Sequence, residues 1–157
     1  MSEKPYRYDT YCGLYCGACE VLHANMENRL DEKTSEWGVD PAQMRCHGCK
    51  SDVLSIYCRD CELRTCAESK GLDYCYECEE FPCQRLENFN HDKVPHHVMV
   101  IINQKVLAER GPEQWLEDQK IRWSCTVCGE TFSWYQKTCS KCGSEVFDCE
   151  KEAGDYR

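Results

Sequence analysis

Six CxxC pairs run along this chain, Cys16/Cys19, Cys46/Cys49, Cys58/Cys61, Cys75/Cys78, Cys125/Cys128 and Cys139/Cys142, and they limit what it can fold into more than any other feature. Two of the pairs belong to a repeat: CxxCxxxxC occurs at Cys58, Cys61, Cys66 and again, 17 residues on, at Cys75, Cys78, Cys83. Thiols at this spacing suit soft metal ions, each pair supplying half of a tetrahedral site. No nucleophile with a matching base accompanies them, so the reading leans away from an enzyme.

The 41% hydrophobic fraction includes all 16 cysteines, and without them it falls to about 31%. Segments so poor in core need a staple, either disulfides or metal. The opening MSEKPYRY has no apolar leader segment, and no stretch approaches the roughly 18 apolar residues of a membrane span. The expected compartment is the cytoplasm, where thiols stay reduced and bind metal rather than pair. The formal charge of -9 takes cysteines as neutral. Because ligation requires thiolates, three four-cysteine zinc sites would bring it to about -15. A nucleic-acid partner is excluded on that account, since phosphates are met with Lys and Arg; a membrane is excluded by the lack of an apolar span.

Tyr6, Tyr8 and Tyr11 lead an extended segment into Cys12, Cys16 and Cys19, with Gly13 and Gly17 allowing turns behind two of these thiols. Ala18, Leu22, Met26 and Leu30 recur every four residues and predict one amphipathic helix over 18–35. Trp37-Gly38 ends it, and Asp40-Pro41 starts a short turn. Cys46-His-Gly-Cys49 reads as a knuckle with His47 pointing outward; His23 and His47 are the candidate imidazole ligands. Residues 67–71 read as a helical turn closed by Gly71, and Pro82 stops regular structure before Cys83.

Residues 94–120 carry no cysteine. Val98, Ile101, Ile102, Lys105, Val106 and Glu109 form a helical stripe, with a buried strand over 98–102 as the alternative, and Arg110-Gly111-Pro112 stops one helix and starts another through Trp115, Leu116 and Gln119. His96 and His97 are expected on the solvent side. Cys125, Cys128, Cys139 and Cys142, each knuckle closing in Cys-Gly, form a zinc-ribbon pattern, with TFSWY at 131–135 as strand material. Trp123, Phe132, Trp134 and Tyr135 are expected to pack this unit on the preceding helix rather than to stack on bases, since base platforms come with basic residues. The fold class expected is a small metal-stapled α+β protein. It comprises a cysteine-rich domain at 1–90 with irregular knuckles and short helices, a helical connector at 91–121 and a β zinc ribbon at 122–149.

The ligands expected are Cys12, Cys16, Cys19, Cys46, Cys49, Cys58, Cys61, Cys66, Cys75, Cys78, Cys83, Cys125, Cys128, Cys139 and Cys142, holding roughly three or four zinc ions. Cys149 is left free. A nested arrangement joins Cys16/Cys19 to Cys46/Cys49 and closes the repeat on itself; a cross-braced arrangement remains open. An iron-sulfur cluster within residues 12–83 is the alternative, because four thiolates serve it equally. Cys12, Cys16 and Cys19 share the CxxxCxxC spacing of radical S-adenosylmethionine enzymes, but a chain of 157 residues has no room for their barrel.

CGLYCGAC at 12–19, CHGC at 46–49, LRTCAESKGLDYCYECEEFPC at 63–83, GPEQWLEDQKIRWSC at 111–125 and the closing knuckles together resemble a prokaryotic cysteine-rich family known as a domain of unknown function, over nearly the whole chain. The thiols shared in that resemblance match Cys12, Cys16, Cys19, Cys46, Cys49, Cys61, Cys66, Cys75, Cys78 and Cys83, with Cys58 an addition. The resemblance implies metal binding and a cytosolic bacterial or archaeal origin. The function expected is a zinc-binding structural or interaction protein whose partner is another protein, the alternative being an iron-sulfur or dithiol redox protein.

Overall fold

A computed structural model describes residues 6–155; residues 1–5, part of the segment read above for an apolar leader, and 156–157 lie outside the described residues. Eight helices are found among the described residues: α1 Glu20–Met26, α2 Leu30–Trp37, α3 Ile56–Arg59, α4 Glu62–Ser69, α5 Gln84–Asn90, α6 Val100–Arg110, α7 Pro112–Arg122 and α8 Cys149–Asp155. Single 3-10 turns at Cys16–Ala18, Pro41–Gln43, Cys75–Glu77 and Pro95–Met99 complete them. No helix is long and apolar enough to cross a membrane.

The helix expected over 18–35 is two helices. Asn28 takes a left-handed conformation (φ 56°), and Arg29 N–H reaches back to Ala24 O at 2.9 Å. Asn tolerates that region better than most residues, so the chain turns there although the apolar spacing continues across it. Gly38 (φ 72°) caps α2, and the Asp40 carboxylate accepts from Ala42 N–H at 2.9 Å over Pro41. Gly111 (φ 86°) separates α6 from α7, whose first residue is Pro112.

The expected α+β class is overturned: the protein is mostly helical (51%), and there is no sheet among the described residues. Where ribbon strands were expected, only isolated antiparallel bridges join Ser124 to Thr131 and Thr138 to Glu145. Packing outweighs β-propensity at 131–135. Phe132 is pulled into the core beside Trp123 and Trp115, Trp134 N–H bonds Ala18 O at 3.0 Å, and Ser133 opens a turn to Gln136. A backbone spent on the Cys16–Ala18 turn has none left for a second strand.

The largest apolar cluster joins the first cysteine loop to the C-terminal half: Tyr15, Ala18 and Tyr74, then Leu107 and Trp115, then Trp123, Phe132 and Cys149. Within it Trp123 and Phe132 pack with Trp115 of α7 as expected, whereas Trp134 also stacks on His96 and Tyr135 bonds it. The buried face of α6 differs from the stripe read in the sequence. Val100, Asn103, Gln104 and Leu107 are buried, while Lys105 and Glu109 are exposed. The two amides are buried because they serve the cysteine loops. Asn103 Nδ2 donates to Gly13 O at 2.8 Å; Gln104 Nε2 donates to Tyr11 O at 2.9 Å and its Oε1 accepts from Tyr76 N–H at 2.8 Å. Gly13 (φ 106°) is required there, since a Cβ would stand 2.8 Å from Val100 O. Gln104→Ala leaves the Tyr76 N–H without its partner and is expected to cost about 2 kcal/mol in a denaturant titration, against near zero for exposed Gln114→Ala.

Candidate metal centres

Cys125 and Cys128 sit on one tight turn, Cys139 and Cys142 on another. In each the glycine after the second cysteine, Gly129 (φ 82°) or Gly143 (φ 77°), returns its N–H to the first cysteine's carbonyl, at 2.8 Å and 3.0 Å. The turns face each other so that all four Sγ atoms lie within 4.8 Å of one another, with Cys125 to Cys142 at 3.6 Å and Cys128 to Cys139 at 3.5 Å. A tetrahedral ion with about 2.3 Å metal–sulfur bonds needs sulfurs about 3.8 Å apart, so the set fits a single zinc-sized ion. Lys141 N–H points at Cys139 Sγ (3.4 Å), and Ser144 Oγ lies 3.2 Å from Cys142 Sγ. Hydrogen bonding with the Ser144 side chain and backbone brings the Cys142 thiol down to about 6. Such donors favour the thiolate that a metal needs.

The eleven remaining expected ligands fall into two packed groups and a surface pocket. Cys16, Cys46 and Cys49 are buried around Leu22, with Cys19 and Cys58 packed against them. Cys12 is buried with Leu63, Leu86 and Val100, and Cys61, Cys75 and Cys83 pack against that group. Cys66 and Cys78 line a surface pocket with Cys75 and Cys83. Among the described residues, no second set of three or more ligand atoms closes to 4.8 Å as the C-terminal four do. The Cys46 loop is a knuckle nonetheless: Gly48 N–H points at Cys46 Sγ at 3.4 Å, matching Lys141 over Cys139. Gly48 (φ 117°) is forced, because a Cβ would lie 2.0 Å from Arg7 O. A hydrogen bond from Cys58 holds Cys46 down to about 6, whereas Cys58 itself is pushed well up.

His47 does not point outward as expected; it is buried, its ring 4.5 Å from that of Tyr6. His23 Nε2 is engaged by Gly17 O at 2.5 Å. Cys149 is buried among aromatics at the start of α8 and is no part of the four-thiol set.

Cations beside the thiols escaped the sequence reading. Lys50, directly after Cys49, is nearly buried; its Nζ lies 3.3 Å from Asp9 Oδ2 and 3.6 Å from the Tyr74 ring centre. Burial pushes the Asp9 carboxyl up, but the Tyr74 hydroxyl at 2.6 Å, Lys50 and Arg7 outweigh it and hold it below its usual range. Arg64 bonds Cys58 O at 2.8 Å and Arg59 O at 3.0 Å, and Lys70 Nζ lies 3.3 Å from Cys78 Sγ. The only sequence signal was a lysine abutting CHGC, which looks like an ordinary solvated charge.

His96 joins the two ends of the chain. It stacks on Trp134 (3.8 Å, 8°), meets Tyr135 Oη through Nδ1 at 2.5 Å and abuts His97, which bonds Asp92 at 2.8 Å. The expected solvent-side pair is therefore an internal joint. Arg122, Glu152 and Cys149 face it across a small cavity. Burial, with His97 adding to it, lowers His96 to about 3, so Nδ1 accepts from Tyr135, whose own hydroxyl is held protonated. An unfolded His96 takes a proton below about 6.5 and the folded one does not, so stability falls as pH drops below that value. In urea titrations, the advantage of wild type over His96→Phe is expected to be largest near pH 7 and to shrink by pH 5.

Thiols presented on short helical turns, one set of four converging on a point, define a cysteine-rich protein able to hold a metal ion. The chain belongs to the family described as protein of unknown function (DUF3795), whose profile matches residues 8–88. That span contains the first eleven cysteines and stops short of α6, so the likeness is narrower than the near-complete one read from the motifs, and the Cys125–Cys142 set lies beyond it. Comparison with curated proteins and with solved structures finds no match.

Proposed function

We propose that the protein is a zinc-thiolate scaffold that presents a surface to another protein. The observation that carries this reading is the closure of four Sγ atoms to within 4.8 Å. Spacings of 3.5 and 3.6 Å suit one ion bound by four thiolates, and leave no room for an iron-sulfur cluster, whose cysteines bind different iron atoms. A partner is supported by an open groove between α1, α2 and α7, where Glu20, Glu27, Glu113, Glu117 and Glu130 outnumber the basic residues. Such a lining favours a basic polypeptide and repels nucleic acid.

Elemental analysis with an absorption spectrum, on protein purified without oxygen, tests the metal. Zinc in whole-number ratio to chain and no visible band is the expected result. Iron with sulfide and a broad visible band would instead make the thiols of residues 12–83 a redox centre.

A further inference from the structure

We infer that Cys58 and Cys61, although spaced as one half-site, serve two different metal centres. This rests on the metal-thiolate reading above. Cys58 lies in α3 and packs with Cys16, Cys19, Cys46 and Cys49 around Leu22. The buried N-cap residue Ser55 accepts from Cys58 N–H at 3.0 Å, which fixes the start of that helix. Cys61 is the N-cap of α4 and packs the other way, with Cys12, Cys75 and Cys83 around Leu63 and Leu86. The chain changes direction between the two short helices, and Arg64 fixes that turn by donating to the carbonyls of Cys58 and Arg59.

Two further observations agree with a division at this point. It leaves five thiols in one group and six in the other, so each can complete a four-thiolate site. Each group also has a cation acting on one of its thiols, Arg64 on Cys49 of the first and Lys70, whose Nζ lies 3.3 Å from Cys78 Sγ, on the second. Cys49, packed with Cys16 and Cys46 around Leu22, also feels the charges of Cys12 and Cys61, so the two groups adjoin there. The α3–α4 turn is then a bridge through which occupancy of one centre positions a ligand of the next.

The test uses the full-length metal-loaded protein. Metal is withdrawn with limiting chelator, freed thiols are pulsed with N-ethylmaleimide, and labelled peptides are read by mass spectrometry. Cys58 is expected to label in step with Cys16, Cys19 and Cys46, and Cys61 in step with Cys75 and Cys83. Cys58 and Cys61 labelling together with a single group overturns the division. Labelling that ignores chelator at these sites while Cys125 and Cys139 respond to it overturns it too, leaving the C-terminal zinc reading intact; indifference at all of them sinks both. Should all metal leave in one step, cadmium-113 spectra decide: Cys58→Ser and Cys61→Ser must each abolish a different resonance, and loss of the same one refutes the inference.

Discussion

Cys139→Ser is expected to cost the protein one metal ion per chain and to release the loops of residues 124–146, with the first ninety residues keeping their fold. Cys139 is buried and makes the 3.5 Å approach to Cys128 at the centre of the four-thiol set. The knuckles themselves have little else to order them, two isolated bridges and two glycine-closed turns, while the segment between them is anchored by Phe132 in the core and Trp134 on His96. Structural zinc contributes on the order of 10 kcal/mol to isolated modules of this kind, most of it folding energy. Heteronuclear NMR would show amide signals of residues 124–146 collapsing while those of α4 to α6 persist. Collapse throughout would mean that Trp123 and Phe132 need the metal to hold the shared aromatic cluster. Cys149→Ser is the matched control: it sits in that cluster, outside the ligand set, and leaves the metal content unchanged.

Gly48→Ala is expected to be nearly as damaging. Its backbone is in a region that side chains avoid, and the added carbon would fall 2.0 Å from the Arg7 carbonyl. That strand of chain cannot simply retreat, because Arg7 N–H bonds His47 O at 2.7 Å. A loss of about 3 kcal/mol or more, with weaker metal retention by the Cys46 group, follows from strain and clash together. An unchanged denaturation midpoint would show that the segment before Tyr8 is not bound to the knuckle as described.

The elements that could be read from sequence were those where one residue type dictates the backbone: Gly38, Asp40-Pro41, Gly71 and Gly111-Pro112 all mark boundaries where they were placed. The C-terminal thiols could be read because a fixed spacing closes a fixed loop. What failed has a physical reason in each case. Asn28 turned the chain in mid-pattern because apolar periodicity carries no information about backbone handedness. The buried face of α6 was misassigned because its interior positions are amides, hidden by hydrogen bonds to loops 28 and 90 or more residues away rather than by hydrophobicity. The TFSWY segment looked like a strand but had its aromatics claimed by the core. Cys16, Cys19, Cys46 and Cys49 pack together around Leu22, whereas the 17-residue repeat suggested a self-contained unit and its first two thiols pack in different clusters.

The amides of α6 also bear on where this protein can be cut. The family-matched segment ends at residue 88, with eleven thiols inside it, yet the groups that hold Gly13, Tyr11 and Tyr76 in place come from Asn103 and Gln104. A fragment trimmed to the matched boundary would keep its thiols and lose the brace that fixes the loops carrying Cys12 and Cys75, exposing Val100's place in the core as well. A fragment meant to keep these loops in place therefore has to extend at least through α6, and cutting there would still strip Trp115, Trp123 and Phe132 from the cluster around Leu107.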